Sequence, residues 1–238
     1  PDGEPVTVPA QYIPPEVLQQ LYLASQDVPL NPSTGYVLGG GGSFEISARN
    51  LDLGATLGIV SQGPAGNAAL ANYFTHGADI NVTLTGNLDM FSTKIASHNG
   101  GKINVTAGGH VNVGSRNFSL GGNDARGIFT VYPDDVTVIA GGDINVNGSR
   151  IAAYDGGNVT VISLHGNIDA GVGGSGRVKV EKIYVDPITR EIVISRPGIH
   201  GNGIYATTFP KSSNPRFPVS QQRVGDIFVA ALEGNITA

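Results

Sequence analysis

The chain has no cysteine, which excludes a disulfide framework, a thiol nucleophile and a cysteine-ligated zinc. The same absence suits export of an unfolded chain, where a premature crosslink would block passage. Charged residues are scarce, at 14% of 238, well below the usual share. The formal net charge is −5 with no Lys/Arg cluster, which argues against a nucleic-acid or anionic-membrane partner. No apolar run approaches the roughly 18 residues of a membrane span and no signal peptide is recognisable, so no membrane insertion is expected. The chain opens at Pro1 rather than Met, which points to a processed or excised product.

What is abundant is glycine, 35 residues in all, about twice the usual share. A Gly-rich, weakly charged chain is disordered only when hydrophobicity is low. Here 40% of residues are hydrophobic, so a folded domain is expected, and its length is ample for a continuous core.

The stretch GGKINVTAGGHVNVGSRNFS, residues 100–119, shows how that core is patterned. Ile103-Asn104-Val105 and Val111-Asn112-Val113 alternate apolar and polar residues behind Gly pairs, a half-buried strand signal punctuated by turns. A third apolar anchor follows at Phe118. The preceding stretch places anchors at Ile80, Leu88 and Ile95, each 23 residues before its counterpart. Further on, Val136, Ile144 and Ile151 keep the same internal steps, and Val159 and Ile168 continue the rows 23 and 24 residues later. An earlier unit sits at Phe44, Leu51 and Ile59, and a last one at Ile227 and Ile236. Ile103 and Val136 are 33 apart, so about ten extra residues, placed at 121–133, interrupt one turn.

A period in the low twenties, carried by short β segments and Gly corners, predicts an all-β chain folded as a parallel β-helix or β-solenoid. About 23 residues form each coil, and roughly six coils at about 4.8 Å each make a rod core roughly 30 Å long. Apolar anchors stack inside, and Asn81, Asn104, Asn112, Asn145 and Thr160 point outward.

Several segments depart from the period. Residues 1–38 form a Pro-rich N-terminal arm in which Pro14-Pro15-Glu16 starts a short helix with Val17, Leu18, Leu21 and Tyr22 on one face. This arm is either a flank along the rod or a cap on its open end. The solenoid proper is placed at 39–238, with an insertion at 62–76 carrying Tyr73, Phe74 and His76. A protruding β-hairpin is expected at 177–195, turning through Asp186-Pro187-Ile188-Thr189. The chain returns to the rod near Ile204, and a Pro-rich excursion follows at 209–219.

The order of the Gly141–Gly176 coil, with its Gly166-Asn167-Ile168-Asp169-Ala170-Gly171 step, then a hairpin, then a coil opening Gly225-Asp226-Ile227, resembles large bacterial exoproteins of the filamentous haemagglutinin type. Within that group it is most similar to a domain of unassigned function. The resemblance covers roughly residues 39–238. It implies a right-handed helix, two-partner secretion across the outer membrane of a Gram-negative-type bacterium, and a place at the cell surface or in a fibre. It supplies no catalytic residues.

Parallel β-helices also include polysaccharide lyases and hydrolases, which group carboxylates in a groove. The candidates are Asp134, Asp135, Asp124, Arg126, His165 and His200. Adjacent carboxylates on a strand face opposite ways, so Asp134 and Asp135 make a poor pair unless they lie in a loop. Asp89, Asp143 and Asp169 sit near Gly corners, where a single Asp more often accepts backbone hydrogen bonds than holds calcium. The glycosylation triplets at Asn81, Asn104, Asn117, Asn147, Asn158 and Asn235 arise automatically from polar alternation. No phosphate loop is present. No catalytic, cofactor-binding or metal-binding residue is assigned, and no cofactor is expected.

The expectation is therefore a non-enzymatic structural segment of a secreted surface protein. It serves in adhesion to a glycan or host surface through its excursions, or as a fibre subunit that stacks on itself head to tail or continues into a longer exoprotein. A polysaccharide-binding or polysaccharide-degrading β-helix is the alternative.

Overall fold

A computed structural model describes residues 35–66, 68–114, 124–171, 177–209 and 225–238. The alternating segments form three parallel sheets of six strands each, and within every sheet the spatial order follows the chain order. Sheet A contains Gly35–Leu38, Gly58–Ser61, Lys94–Ser97, Gly127–Val131, Arg150–Tyr154 and Gly203–Thr207. Sheet B contains Ser43–Ala48, Asp79–Leu84, Ile103–Ala107, Val136–Ala140, Val159–Ser163 and Ile227–Ala231. Sheet C contains Leu51–Gly54, Leu88–Met90, Val111–Asn112, Ile144–Asn145, Ile168–Asp169 and Ile236–Thr237. The chain visits A, B and C in turn, so each strand pairs with its equivalent one round later, an arrangement consistent with a β-solenoid.

The anchors stack as the periodicity predicts in two of the three sheets. Phe44, Ile80, Ile103, Val136, Val159 and Ile227 are register partners along sheet B. Leu51, Leu88, Val111, Ile144, Ile168 and Ile236 are partners along sheet C. All but the last of each row, Ile227 and Ile236, converge with Ile59, Ile95, Ile128 and Ile151 of sheet A into one core.

Sheet A corrects one anchor. Ile128 takes the place assigned to Phe118, pairing with Ile95 on one side and Ile151 on the other. Phe118 lies outside the described residues. The extra residues therefore precede the sheet A strand, and Gly127–Val131, placed in the insertion at 121–133, is part of the sheet. The first strand begins at Gly35 and pairs with Gly58–Ser61, so residues 35–38 belong to the sheet rather than to the arm. The short helix expected within the arm, and the Pro-rich excursion beyond Phe209, lie outside the described residues.

Side-chain ladders hold the corners. The residue just before each sheet C anchor is Asn50, Asn87, His110, Asp143, Asn167 or Asn235. Each of the first five accepts the backbone N–H of the next through Oδ1 or, at His110, Nδ1, at 2.7 to 3.0 Å. Before the sheet B anchors, Asp79, Asp135 and Asn158 do the same for Lys102, Asn158 and Asp226. On the outer face, Asn104 donates to Asn81 and Asn145 to Asn112. These bonds satisfy amides that the sheet ladders leave over at the turns. They also occupy the side chains of Asn81, Asn104 and Asn158, as the carbonyl oxygen of Gly114 does for Asn147.

The corners leave little room. At Gly157, with φ of 87°, a Cβ would lie 2.1 Å from the Asp134 carbonyl oxygen, which only glycine tolerates.

Beyond the rod, Lys182–Val185 pairs antiparallel with Ile192–Ser195, and Arg177–Lys179 with Gly198–His200. The turn is at Asp186, whose Oδ1 accepts the N–H groups of Ile188 and Thr189. The hairpin is where the alternation places it, but it does not protrude. It lies against the outer face of sheet A, where Val180, Ile199 and Phe209 join Ala96, Phe129, Val131, Ala152 and Tyr154 in a second core. Gly127–Val131 and Arg150–Tyr154 are buried on both faces as a result.

A candidate ligand cleft beside the hairpin

The insertion at 62–76 forms two short 3-10 helices, Gly63–Gly66 and Ala68–Asn72. It ends at Thr75 and His76, which are linked by Thr75 Oγ1 and His76 Nδ1 at 3.0 Å. Asn99 Nδ2 donates to the Thr75 carbonyl oxygen at 2.9 Å and so ties the insertion to the next corner of the rod. Tyr73 is 83% exposed, and Phe74 lies over Gly40 and Gly41.

Between this insertion, the corner Tyr132-Pro133-Asp134 and the hairpin residues Tyr184, Val185 and Pro187 lies a half-open cavity of about 350 Å³. Tyr132 has φ of 81°, a turn conformation that aims the following Pro133 and Asp134 off the strand path. The Asp134 carboxylate is held from behind, since Oδ2 accepts the Gly101 N–H at 2.9 Å. Burial pushes the Tyr132 phenol well above its ordinary value, and it stays protonated at any physiological pH. The cleft thus offers two tyrosines, two prolines, one carboxylate and the polar edge of Thr75 and His76.

No family model, no curated protein and no solved structure matches this chain. The cleft therefore has to be read from its chemistry.

The remaining candidate residues are dispersed. Asp135 Oδ1 is occupied by the Asn158 N–H in the corner ladder, so Asp134 and Asp135 lie in a loop yet do not form an acid pair. His165 is an exposed partner of Glu233 at 3.0 Å, and His200 sits on the hairpin opposite Arg177. Asp124 lines a separate cavity of about 30 Å³ at the seam between sheet A and the hairpin, with Lys94, His98, Lys179, Glu181 and Arg196. Arg126, two residues along, is held below its ordinary value, mainly by burial.

Asp89 and Asp169 act at corners and on the ladder, accepting Asn112 Nδ2 and the Gly171 N–H. Asp143 accepts the Asn167 N–H. Among the described residues no three His, Asp or Glu side chains converge as a metal site, and no helix is long and apolar enough to cross a membrane.

Tyr132, Pro133 and Tyr184 belong to no motif, and Pro187 is marked in the sequence only as a turn residue. Their one sequence signal is position, at a corner and at a hairpin turn. Nothing in the linear order joins them.

Proposed function

We propose that this chain is a structural segment of a secreted exoprotein of the filamentous haemagglutinin type, and that it binds a glycan in the cleft beside the hairpin. The rod is a right-handed parallel β-helix of about 23 residues per coil and roughly six coils. Displayed at the cell surface, it holds the cleft clear of the surroundings and contributes adhesion.

The observation that carries this reading is the composition of the cleft. Tyr and Pro faces suit the C–H faces of a sugar ring, while Asp134, Thr75 and His76 suit its hydroxyls. Binding is favoured over cleavage because glycoside hydrolysis uses a pair of carboxylates, and among the described residues Asp134 is the one carboxylate in the lining.

A glycan array followed by calorimetry on the hits tests this. Saturable binding that Tyr184→Ala and Asp134→Ala each weaken at least about tenfold supports it. Absence of any ligand binding tighter than about 1 mM overturns it.

A second reading, stacking between copies or onto a longer exoprotein, rests on Ile227, Phe228, Leu232 and Ile236, which are about half to two-thirds exposed along the last paired strands. Negative-stain microscopy over a concentration series separates filaments from short, monodisperse rods, and only the latter outcome removes self-stacking.

A further inference from the structure

The second core brings an amine and a carboxyl together across two elements. Asp155 directly follows the sheet A strand Arg150–Tyr154 in a left-handed backbone conformation, φ 63°. Lys182 opens the hairpin strand Lys182–Val185. Both side chains are buried, 3% and 7% exposed, with Lys182 Nζ donating to Asp155 Oδ2. The other carboxyl oxygen, Oδ1, accepts the Phe209 N–H at 2.9 Å. The rings of Tyr132 and Phe209 lie 5.1 and 5.4 Å from Nζ. Tyr132 Oη is buried with no hydrogen-bond partner among the described residues, and burial, then the Asp155 charge, keep this phenol protonated.

The two groups are in direct contact and shielded from water, so no solvent shell has to be displaced before they meet. Held in permanent contact, the two groups react at effective concentrations on the order of 10⁵ M or more. We propose that Lys182 and Asp155 join through an intramolecular isopeptide bond. Nζ passes one proton to Oδ2, to which it already donates, attacks Asp155 Cγ, and the C–N bond forms. Oδ1 carries the developing negative charge, facing the Phe209 N–H as its donor. Oδ2 receives a second proton from Nζ, with which it is already hydrogen-bonded, and leaves as water. Ammonium plus carboxylate yields amide plus one water, with no redox change and no further reactant.

The bond closes a loop of 27 residues' separation and fastens the hairpin, one wall of the cleft, to the rod. It stands independently of any glycan reading.

The test is the intact mass of the denatured full-length chain, followed by peptide mapping. The expected mass is one water below that of the sequence, with a branched peptide linking the Asp155 and Lys182 segments. Lys182→Arg and Asp155→Ala are expected to show the full sequence mass. A wild-type chain at full mass overturns the proposal, and so needs no variant to fold. Asp155-Gly156 can also lose a water by closing a succinimide on its own backbone. Water loss that persists in Lys182→Arg, without a branched peptide, overturns the proposal equally.

Discussion

His98 Nδ1 donates to the carbonyl oxygen of Glu181 at 2.8 Å, and the N–H of Ile183 donates back to the His98 carbonyl oxygen at 3.0 Å. This pair of bonds docks the hairpin where the sheet A strand Lys94–Ser97 ends. The imidazole is sealed edge-on against Phe129, with ring centroids 5.6 Å apart.

Burial, helped by the nearby Lys94, pulls the His98 pKa down to about 3. Asp124, Glu181 and Arg196 also face this ring, and their contributions are smaller. The unfolded chain takes up a proton near pH 6.5, whereas the folded chain stays neutral. Stability is therefore full above about pH 6.5 and falls by about 1.4 kcal/mol per pH unit on acidification towards pH 3. Urea midpoints measured from neutral pH down to about pH 4 should show this loss. His98→Gln should flatten the profile while lowering stability at neutral pH. A native profile that is flat over this range would show that His98 is not buried as a neutral ring.

The corner ladder makes a substitution-specific prediction. His110 holds a rung that Asn50, Asn87 and Asn167 hold elsewhere, and its Nδ1 accepts the Asp143 N–H at 3.0 Å. His110→Asn keeps the acceptor and should leave the denaturation midpoint nearly unchanged. His110→Ala removes it and should cost about 1 kcal/mol.

Core rows are predicted to be unforgiving. Ile103 is fully buried between Ile80 and Val136 in the middle of sheet B, so Ile103→Ala should cost about 3 kcal/mol. Ile188 at the hairpin tip is 90% exposed, and Ile188→Ala should be close to neutral. Parallel denaturant titrations compare the two.

Gly157→Ala tests the close approach of successive corners. The added methyl meets the Asp134 carbonyl at a backbone φ of 87°, and a loss of at least about 2 kcal/mol is expected. Asp134 lines the cleft, so a shift here should also weaken any ligand held there, which the binding assay reads directly.

The sequence alone determined the stacked parallel sheets. Period-two alternation set which side chains face inward, and the recurrence at 23 residues set which strands pair. Both are properties of spacing along the chain: Ile80 pairs with Ile103 and Val136 with Val159, as that spacing requires. The corner ladder was equally local, since its residues immediately precede the anchors, and it was legible to anyone comparing those positions. Ile128 was harder. An insertion moved it ten residues out of step, and Phe118 imitated its place.

Only the tertiary structure decided where the hairpin goes and what it makes. Alternation marks the hairpin's two faces but not the surface that one of them covers. Apolar residues in Gly127–Val131 and Arg150–Tyr154 hint at burial on both sides without naming a partner. The cleft gathers Thr75, Asp134 and Tyr184, and the buried pair joins Asp155 to Lys182, from elements far apart in the chain. Such meetings depend on how the excursions fold back over sheet A, and no local spacing encodes that.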